Sequence, residues 1–525
     1  MNSATNTKMI SLVPTNGTVF DLNGGGQKVI FEIPANVGLM KGRDSYMVWD
    51  IENTSSDNNR LAVNSQAGCE AVIARVDIYA LRDGTHIETL NHYNQIAAMA
   101  NQYLYEDKTN LQSLQGCGKK VYANDHSAAA AGVSPVLGSV HNPEDSQLSP
   151  VNSTDGTQAY NFRRFTAPLK SGFLGRWWDD ERLCPIIATG GVKVEFTLEN
   201  PDVALQVLNN NLKNQAGAAA DITPEAGVGL GAACINRGGA TNIFSVESTT
   251  VAECGFAVGN KVNLDGDVGA GVVNLAAART ITTIAQNAND VDITFDGAAV
   301  AASNDNSIRL ASVVKSAKVR PSWRVVSVAP PEGMVNSISG GLQYEFTSYN
   351  YHTSSLLASA QQHQVELNSV ATRAQCIMSS FVNESNTTKG GFSSYFSGAV
   401  PKELKLNSVQ YFLKNRLQPV RAYDPDVTGQ RIIAQHELAK SFDSISYEAV
   451  DLGNTDGANL GVYTNNFMIG RQLAKRPYYY DLKDAEGQIR LGFSGTRTDN
   501  YTINTFVWNK FVLNVGAGAD IALVI

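Results

Sequence analysis

The sequence is poor in charge. Asp, Glu, Lys and Arg make up 17% of its 525 residues, against about 25% in ordinary soluble proteins. A chain this long with so little charge is expected to cover part of its surface with other copies. Clustered basic residues are lacking as well. The 49 acidic residues outnumber the 41 basic ones, the formal net charge is −8, and neither end carries a basic tail. Neutralising phosphates requires Lys and Arg in number, so neither a nucleic-acid-coating surface nor sequence-specific binding is expected. No run of about 18 apolar residues occurs, so no segment is expected to span a membrane; the pattern is silent on a lipid layer beside the protein. The first residues, MNSATNTKMI, do not read as a signal peptide. The six cysteines, Cys69, Cys117, Cys184, Cys234, Cys254 and Cys376, form no CxxC pair and read as reduced, mostly buried thiols. The sequons Asn16-Gly17-Thr18 and Asn500-Tyr501-Thr502 are then expected to stay unglycosylated.

Catalytic signatures are also missing. Metal sites need several His, Cys or carboxylate ligands at compatible spacing. The seven histidines are His86, His92, His126, His141, His352, His363 and His436. His86 and His92 are six apart and do not share a helical face, and no HExxH occurs. They read as surface or hydrogen-bonded residues. There is no GxSxG elbow and no P-loop. Gly24-Gly25-Gly26 precedes a strand and lacks the strand-before, helix-after setting of a dinucleotide fingerprint. Trp177-Trp178 beside Asp179-Asp180-Glu181 suggests a sugar platform with an acid/base pair. Adjacent carboxylates in a strand point to opposite faces, however, and an aromatic anchor at a domain or subunit contact is preferred. Lys475-Arg476-Pro477-Tyr478-Tyr479-Tyr480 mixes basic and aromatic groups, as stacking sites for nucleic acid do. It is short and followed by Asp481 and Asp484, so a packing corner is expected. No catalytic, cofactor-binding or metal-binding residue is assigned, no cofactor is expected, and the chain reads as non-enzymatic.

What is present is alternation with a period of two. Val192, Val194, Phe196 and Leu198 alternate with Lys193, Glu195, Thr197 and Glu199, as in a strand packed on one face only. Val29, Phe31 and Ile33 follow the same pattern, as do Ala74, Val76, Ile78 and Ala80, and Leu342, Tyr344 and Phe346. The final 25 residues read as two or three strands split at Gly516-Ala517-Gly518. Helical spacing is sparse. It is clearest over His86–Leu104 (Leu90, Tyr93, Ala97, Ala100, Leu104), and weaker over Gln430–Phe442, with Ile432, Gln435, Ala439 and Phe442 in one stripe. Between Gln206 and Ser316 there is no Trp or Tyr, and only Phe244, Phe256 and Phe295 are aromatic. The pieces Arg279–Ile284 and Val291–Phe295 still alternate, so this stretch reads as an inserted surface β module with a thin core, in preference to a disordered loop. A weak internal echo runs through the chain. Strand Ser45–Ile51, strand Val72–Ala80 and helix Ile87–Leu104 come in the order that Ala371–Val382, Leu406–Leu413 and Gln430–Phe442 follow later.

Two segments resemble the major capsid proteins of the double jelly-roll lineage, in particular those of virophages and polinton-like viruses. Ala74-Arg-Val-Asp-Ile-Tyr-Ala-Leu-Arg-Asp-Gly-Thr-His-Ile-Glu-Thr-Leu-Asn-His-Tyr-Asn94 is similar to the family's strand that turns into a helix. Leu406-Asn-Ser-Val-Gln-Tyr-Phe-Leu-Lys-Asn-Arg-Leu-Gln-Pro-Val420 resembles a strand of its second jelly roll. The resemblance implies an all-β fold of two tandem eight-stranded jelly-roll sandwiches with a few short helices and an inserted small β module. The implied division is 1–204 for part of the first jelly roll, 205–316 for the insertion, 317–345 for the end of the first and 346–525 for the second, with the boundary between Pro330 and Ser355. It further implies homotrimers with a pseudo-hexagonal base that tile an icosahedral shell, with neighbouring capsomers, penton and minor capsid proteins as partners. The expected location is the virion, after synthesis in the host cytoplasm or a viral factory. Two alternatives share the composition: another self-assembling β-rich subunit of a tail, fibre or surface layer, and a β-sandwich hydrolase. Fibres usually show a fixed short repeat, and none is present.

Overall fold

The computed structural model describes residues 7–64, 66–104, 114–116, 147–148, 162–175, 183–207, 234–236, 242–247, 256–268, 271–272, 278–287, 290–297, 305–310, 314–330, 341–367, 371–384, 404–425, 428–445, 467–474, 478–483, 487–497, 499–516 and 520–524. Sixteen main strands form two sandwiches. The first contains β1 (Thr7–Leu12), β2 (Lys28–Pro34), β3 (Tyr46–Asn53), β4 (Ile73–Ala80), β5 (His86–Asn91), β6 (Phe162–Ala167), β7 (Gly191–Leu198) and β8 (Ala317–Val328). One of its sheets has the order β1-β8-β3-β6 and the other β2-β7-β4-β5, all antiparallel.

The second sandwich contains β9 (Leu342–Leu356), β10 (Gln362–Glu366), β11 (Ala374–Asn383), β12 (Leu406–Leu413), β13 (Arg416–Tyr423), β14 (Met468–Gln472), β15 (Gly487–Phe493) and β16 (Tyr501–Val515). Its sheets run β9-β16-β11-β14 and β10-β15-β12-β13. Adding eight to each strand of the first sandwich reproduces the second. This strand order is that of a jelly roll, two Greek keys folded into facing sheets. A helix lies between the fifth and sixth strands of each: α1 (Tyr93–Tyr103) in the first and α2 (Thr428–Ile445) in the second. The six segments of the internal echo therefore occupy equivalent places.

Each sandwich closes over side chains of alternate residues. In the first, Phe31 and Phe196 of one sheet meet Trp49 and Trp323 of the other, with ring centroids 5.8–6.2 Å apart and edge-on geometry. In the second, Val409, Tyr411, Ile489 and Leu491 share a core with Ile377, Phe381, Ile503 and Val507. β9 begins at Leu342 and pairs from there with β16, Leu342 opposite Val515. A division between 345 and 346 thus passes through a paired strand.

Two helix expectations need correction. Residues 86–91 form β5, and α1 starts only at Tyr93, because His92 takes the left-handed conformation with φ 51° and breaks the chain direction. On α2 the buried face is Ala434, Leu438, Phe442 and Ile445, while Ile432, placed in the stripe by spacing alone, is 67% exposed.

Hydrogen bonds gather the connections at two ends. At one end Leu22 N–H donates to Ala317 O, Thr54 N–H to Ser316 O, Glu199 N–H to Val72 O and Asn94 Nδ2 to Glu199 Oε2. The connections β1–β2, β3–β4, β5–β6 and β7–β8 therefore meet here. At the other end Leu81 N–H bonds Gly191 O and Arg82 N–H bonds Thr189 O, joining β4–β5 to β6–β7. Residues 205–316 enter between β7 and β8, at the first end. Their described strands include a seven-stranded sheet in which Arg279–Asn287 and Asp290–Phe295 form one antiparallel pair. Among the described residues of this stretch, Phe256, Val262, Ile281, Val291, Ile293 and Phe295 are buried. Asn260 seats it on the β3–β4 connection, with Nδ2 donating to Asp57 O at 3.2 Å and Asn58 O at 2.8 Å.

Candidate functional site: the joint between the sandwiches

The feature that sets the geometry of the whole chain is the joint between its two halves. The β6–β7 connection supplies a knob, Phe173, which lies edge-on to Tyr344 and packs on Phe346 of β9, both at 5.6 Å. Phe346 stacks in turn on Phe511 of β16 at 5.6 Å. The loop fits only because residue 172 is glycine: a Cβ there would sit 1.9 Å from Thr347 O. Farther along β9, Tyr349 Oη donates to Asn91 O at 2.8 Å, and Tyr351 packs on the His92 ring at 4.4 Å. Beyond that, α1 meets α2 through Tyr103 and Phe442, stacked at 5.4 Å. The knob loop belongs to one end of the first sandwich and meets the start of β9, and α1 belongs to the other end and meets α2. The two sandwiches consequently stand side by side with matching ends.

A carboxyl group pins the knob loop. Glu88 of β5 is buried and accepts from Ser171 Oγ at 2.5 Å, Gly172 N–H at 3.0 Å and Phe173 N–H at 3.2 Å. Burial pushes its pKa above the usual carboxylate range, against the pull of these donors and of the Ser348 hydroxyl. Nearby, Glu70 holds the buried Lys170 ammonium and accepts from Tyr93 Oη at 2.6 Å. Tyr93 Oη accepts in turn from Lys170 N–H at 2.9 Å. An ion pair this deep is costly to break, because either partner alone would be an uncompensated buried charge.

The joint explains a difference between equivalent strands. β8 alternates: Ala317, Val319 and Trp323 are buried, and Lys318, Arg320 and Arg324 face outward. β16 is buried almost throughout, from Ile503 to Asn509 without a break. Its sheet has the second sandwich's core on one face and the joint with α2 on the other.

The residues singled out for chemistry are dispersed. His86 Nε2 lies 2.6 Å from Thr89 Oγ1, and His363 Nε2 lies 2.6 Å from Ser354 Oγ. His436 is exposed. Burial lowers the pKa of His92 and of His352. His126, His141, the Trp177–Glu181 cluster and Lys475–Pro477 lie outside the described residues. Tyr480 fits a packing corner, bonded to Ala374 and carrying Lys414 Nζ 5.6 Å above its ring. Tyr478 does not: it is 75% exposed. Among the described residues no three His, Cys, Asp or Glu side chains come together as a metal site. No described helix is long and apolar enough to cross a membrane. Sequence reasoning missed the joint. Its available signal was the run Tyr344–Tyr351, with aromatic residues at both strand parities, which marks a strand covered on two sides.

No protein-family model and no curated protein matches the sequence. Solved structures do. The structure of PBCV-1 VP54 fitted into a cryo-EM reconstruction of the virophage Sputnik aligns over 100% of this chain and 98% of its own, with a TM-score of 0.51 and 11% identity. A quasi-atomic model of the PBCV-1 virus capsid aligns over the same shares at 0.49 and 10% identity. The Faustovirus major capsid protein aligns over 97% of this chain and 90% of its own at 0.46 and 9% identity. With the strand order repeated in each half and this likeness along its whole length, the chain has the double jelly-roll fold.

Proposed function

We propose that this chain is a viral major capsid protein, three copies of which form a pseudo-hexagonal trimer that tiles an icosahedral shell. The observation that carries the reading is one jelly roll repeated within the chain, the two copies side by side with matching ends, in a fold like that of a protein fitted into a virus-particle reconstruction. Two upright sandwiches per chain give six in a trimer. Six similar bodies around one axis approximate a hexagon, which packs on a surface with little gap.

On this reading the first sandwich comprises 1–204 and the stretch from 317 to just before Leu342, residues 205–316 form an inserted module, and the remainder is the second sandwich. The insertion suits an outward tower. It joins the end where the long connections gather, and its lack of Tyr and Trp leaves little that needs a neighbour's cover. The opposite end carries shorter turns and suits the inner face. Partners are neighbouring trimers, penton and minor capsid proteins. The location is the virion, after synthesis in the host cytoplasm or a viral factory, and the role calls for no catalysis or cofactor.

Negative-stain electron microscopy of the purified protein, with its mass in solution, tests the proposal. Compact trimers of hexagonal outline, or closed shells, are expected. A monodisperse monomer that hydrolyses a sugar or ester would sink it.

A further inference from the structure

We propose that the side chains of Lys170 and Asn101 join in an amide bond, with Glu70 carrying the proton. The bond forms once, inside the folded chain, and is a self-modification without turnover.

Three side chains from separate parts of the first sandwich converge in its interior. Glu70 comes from the short helical turn Gly68–Val72 before β4, Asn101 from the last turn of α1, and Lys170 from the β6–β7 connection. They are 1%, 4% and 4% exposed, and their chain neighbours Cys69, Ala71, Ala100 and Leu169 are buried as well. One oxygen links the three. Glu70 Oε2 accepts from Lys170 Nζ and lies 3.5 Å from Asn101 Nδ2. The other oxygen, Oε1, is fixed by Tyr93 Oη at 2.6 Å, and Lys170 N–H donates to that same hydroxyl at 2.9 Å. Asn101 Nδ2 also lies 3.4 Å from Ala67 O. The carboxylate is thus held between an amine and a carboxamide.

An amide exchange needs this arrangement. Oε2 touches both the nitrogen that attacks and the nitrogen that leaves, so one carboxyl group can take a proton from the first and deliver one to the second. Glu70 first takes a proton from the Lys170 ammonium, leaving a neutral amine beside a neutral acid. The amine lone pair attacks Asn101 Cγ and forms the new N–C bond of a tetrahedral adduct. The attacking nitrogen gives up a proton as the leaving nitrogen receives one, both through Glu70. The Cγ–Nδ2 bond then breaks, its electron pair departs with ammonia, and the carbonyl re-forms. The products are a secondary amide, free ammonia and a protonated Glu70, and nothing is oxidised or reduced. Two opposite charges that are costly to keep from water are replaced by neutral groups. The fold has already brought amine and amide together, which removes the entropic cost of their encounter.

The bond closes the chain from Asn101 to Lys170 into a covalent loop, which restricts the unfolded chain as a disulfide does. Both ends of the loop lie at the joint. Tyr103, close to Asn101, stacks on Phe442, and Phe173, close to Lys170, packs on Tyr344 and Phe346. The staple therefore ties together the two places where the first sandwich grips the second.

Intact-mass spectrometry of the purified protein, denatured and reduced, tests the proposal. The expected mass is that of the sequence less one ammonia, and a tryptic digest is expected to contain one branched peptide joining Lys170 to Asn101. Asn101→Ala leaves the ion pair in place and is expected to show its full sequence mass and to unfold at lower urea than the parent. Glu70→Ala, checked for folding by circular dichroism, is also expected to show its full mass. A parent at full sequence mass overturns the proposal. So does a loss of water in place of ammonia, which would put the bond between Lys170 and Glu70. An ammonia loss that survives in N101A overturns it too, because it arises at another amide side chain. A folded E70A that still loses ammonia overturns the role given to Glu70. The capsid reading is untouched by any of these results, since it is tested by the shape and mass of the particles.

Discussion

The two sandwiches have one strand order and opposite surroundings. The first carries long connections at one end, among them the 205–316 insertion between β7 and β8 and the residues between β5 and β6. The second returns from β15 to β16 and from β9 to β10 in short turns. Its strand β16 is buried on both faces, whereas the matching β8 keeps a charged outer face. Strand order therefore settles which strands pair, and the neighbours of each sheet settle what its side chains must be. A strand covered on both sides needs apolar residues at both parities, and one facing water does not.

The comparison can be broken most directly at the joint. Phe173→Ala removes a fully buried aromatic knob and leaves a cavity against Tyr344 and Phe346, at a cost of about 3–5 kcal/mol. Calorimetry should show the sandwiches unfolding less cooperatively, with the transition splitting in two. A single transition at the parent's temperature would mean that the joint does not couple them.

Next in size is the seat of the insertion. Asn260→Ala strands the carbonyls of Asp57 and Asn58 and the Ala257 N–H that bonds Asn260 Oδ1, which should cost about 1–3 kcal/mol. Limited proteolysis should then cut residues 205–316 sooner, with both sandwiches left intact.

Glu88 sharpens the comparison through pH. Its folded pKa is raised by burial, so its contribution to stability is full below the ordinary carboxylate value of about 4.3 and is lost as pH rises through the raised value. Tyr349 and Cys184 are the titratable groups that sense it. Glu88→Gln should flatten that part of the stability-versus-pH curve, as read by urea unfolding from pH 4 upward. An unchanged slope would remove Glu88 as its source.

The smallest effect is expected on β13, where Val420 is 86% exposed. Val420→Ala should change the stability of the single chain by no more than about 0.5 kcal/mol, whatever it does to assembly.

Much of the fold is legible in the residues. The alternation of Val192–Leu198 and of Val29–Ile33 marks the adjacent strands β7 and β2, and the scarcity of aromatics marks the insertion. The echo of strand, strand and helix reflects equivalent places in the two sandwiches. Other features were hidden for identifiable reasons. The break at His92 depends on one backbone angle, and helical spacing runs straight through it. The exposure of Ile432 depends on which side of α2 meets β14, and both sides carry apolar residues. Glu88 looks like the solvent-side residue of an alternating strand until the β6–β7 loop is seen covering it.

By itself, then, the sequence determined the class, the strands and the presence of an inserted module, because side-chain alternation and local composition act over a few residues. The tertiary structure alone decided the joint. Phe173, Tyr344 and Glu88 come from three separated stretches of chain, and no local pattern encodes contact between them. For the same reason only the folded chain reveals that β9 and β5 meet across the joint while Met9 of β1 and Val420 of β13 are exposed.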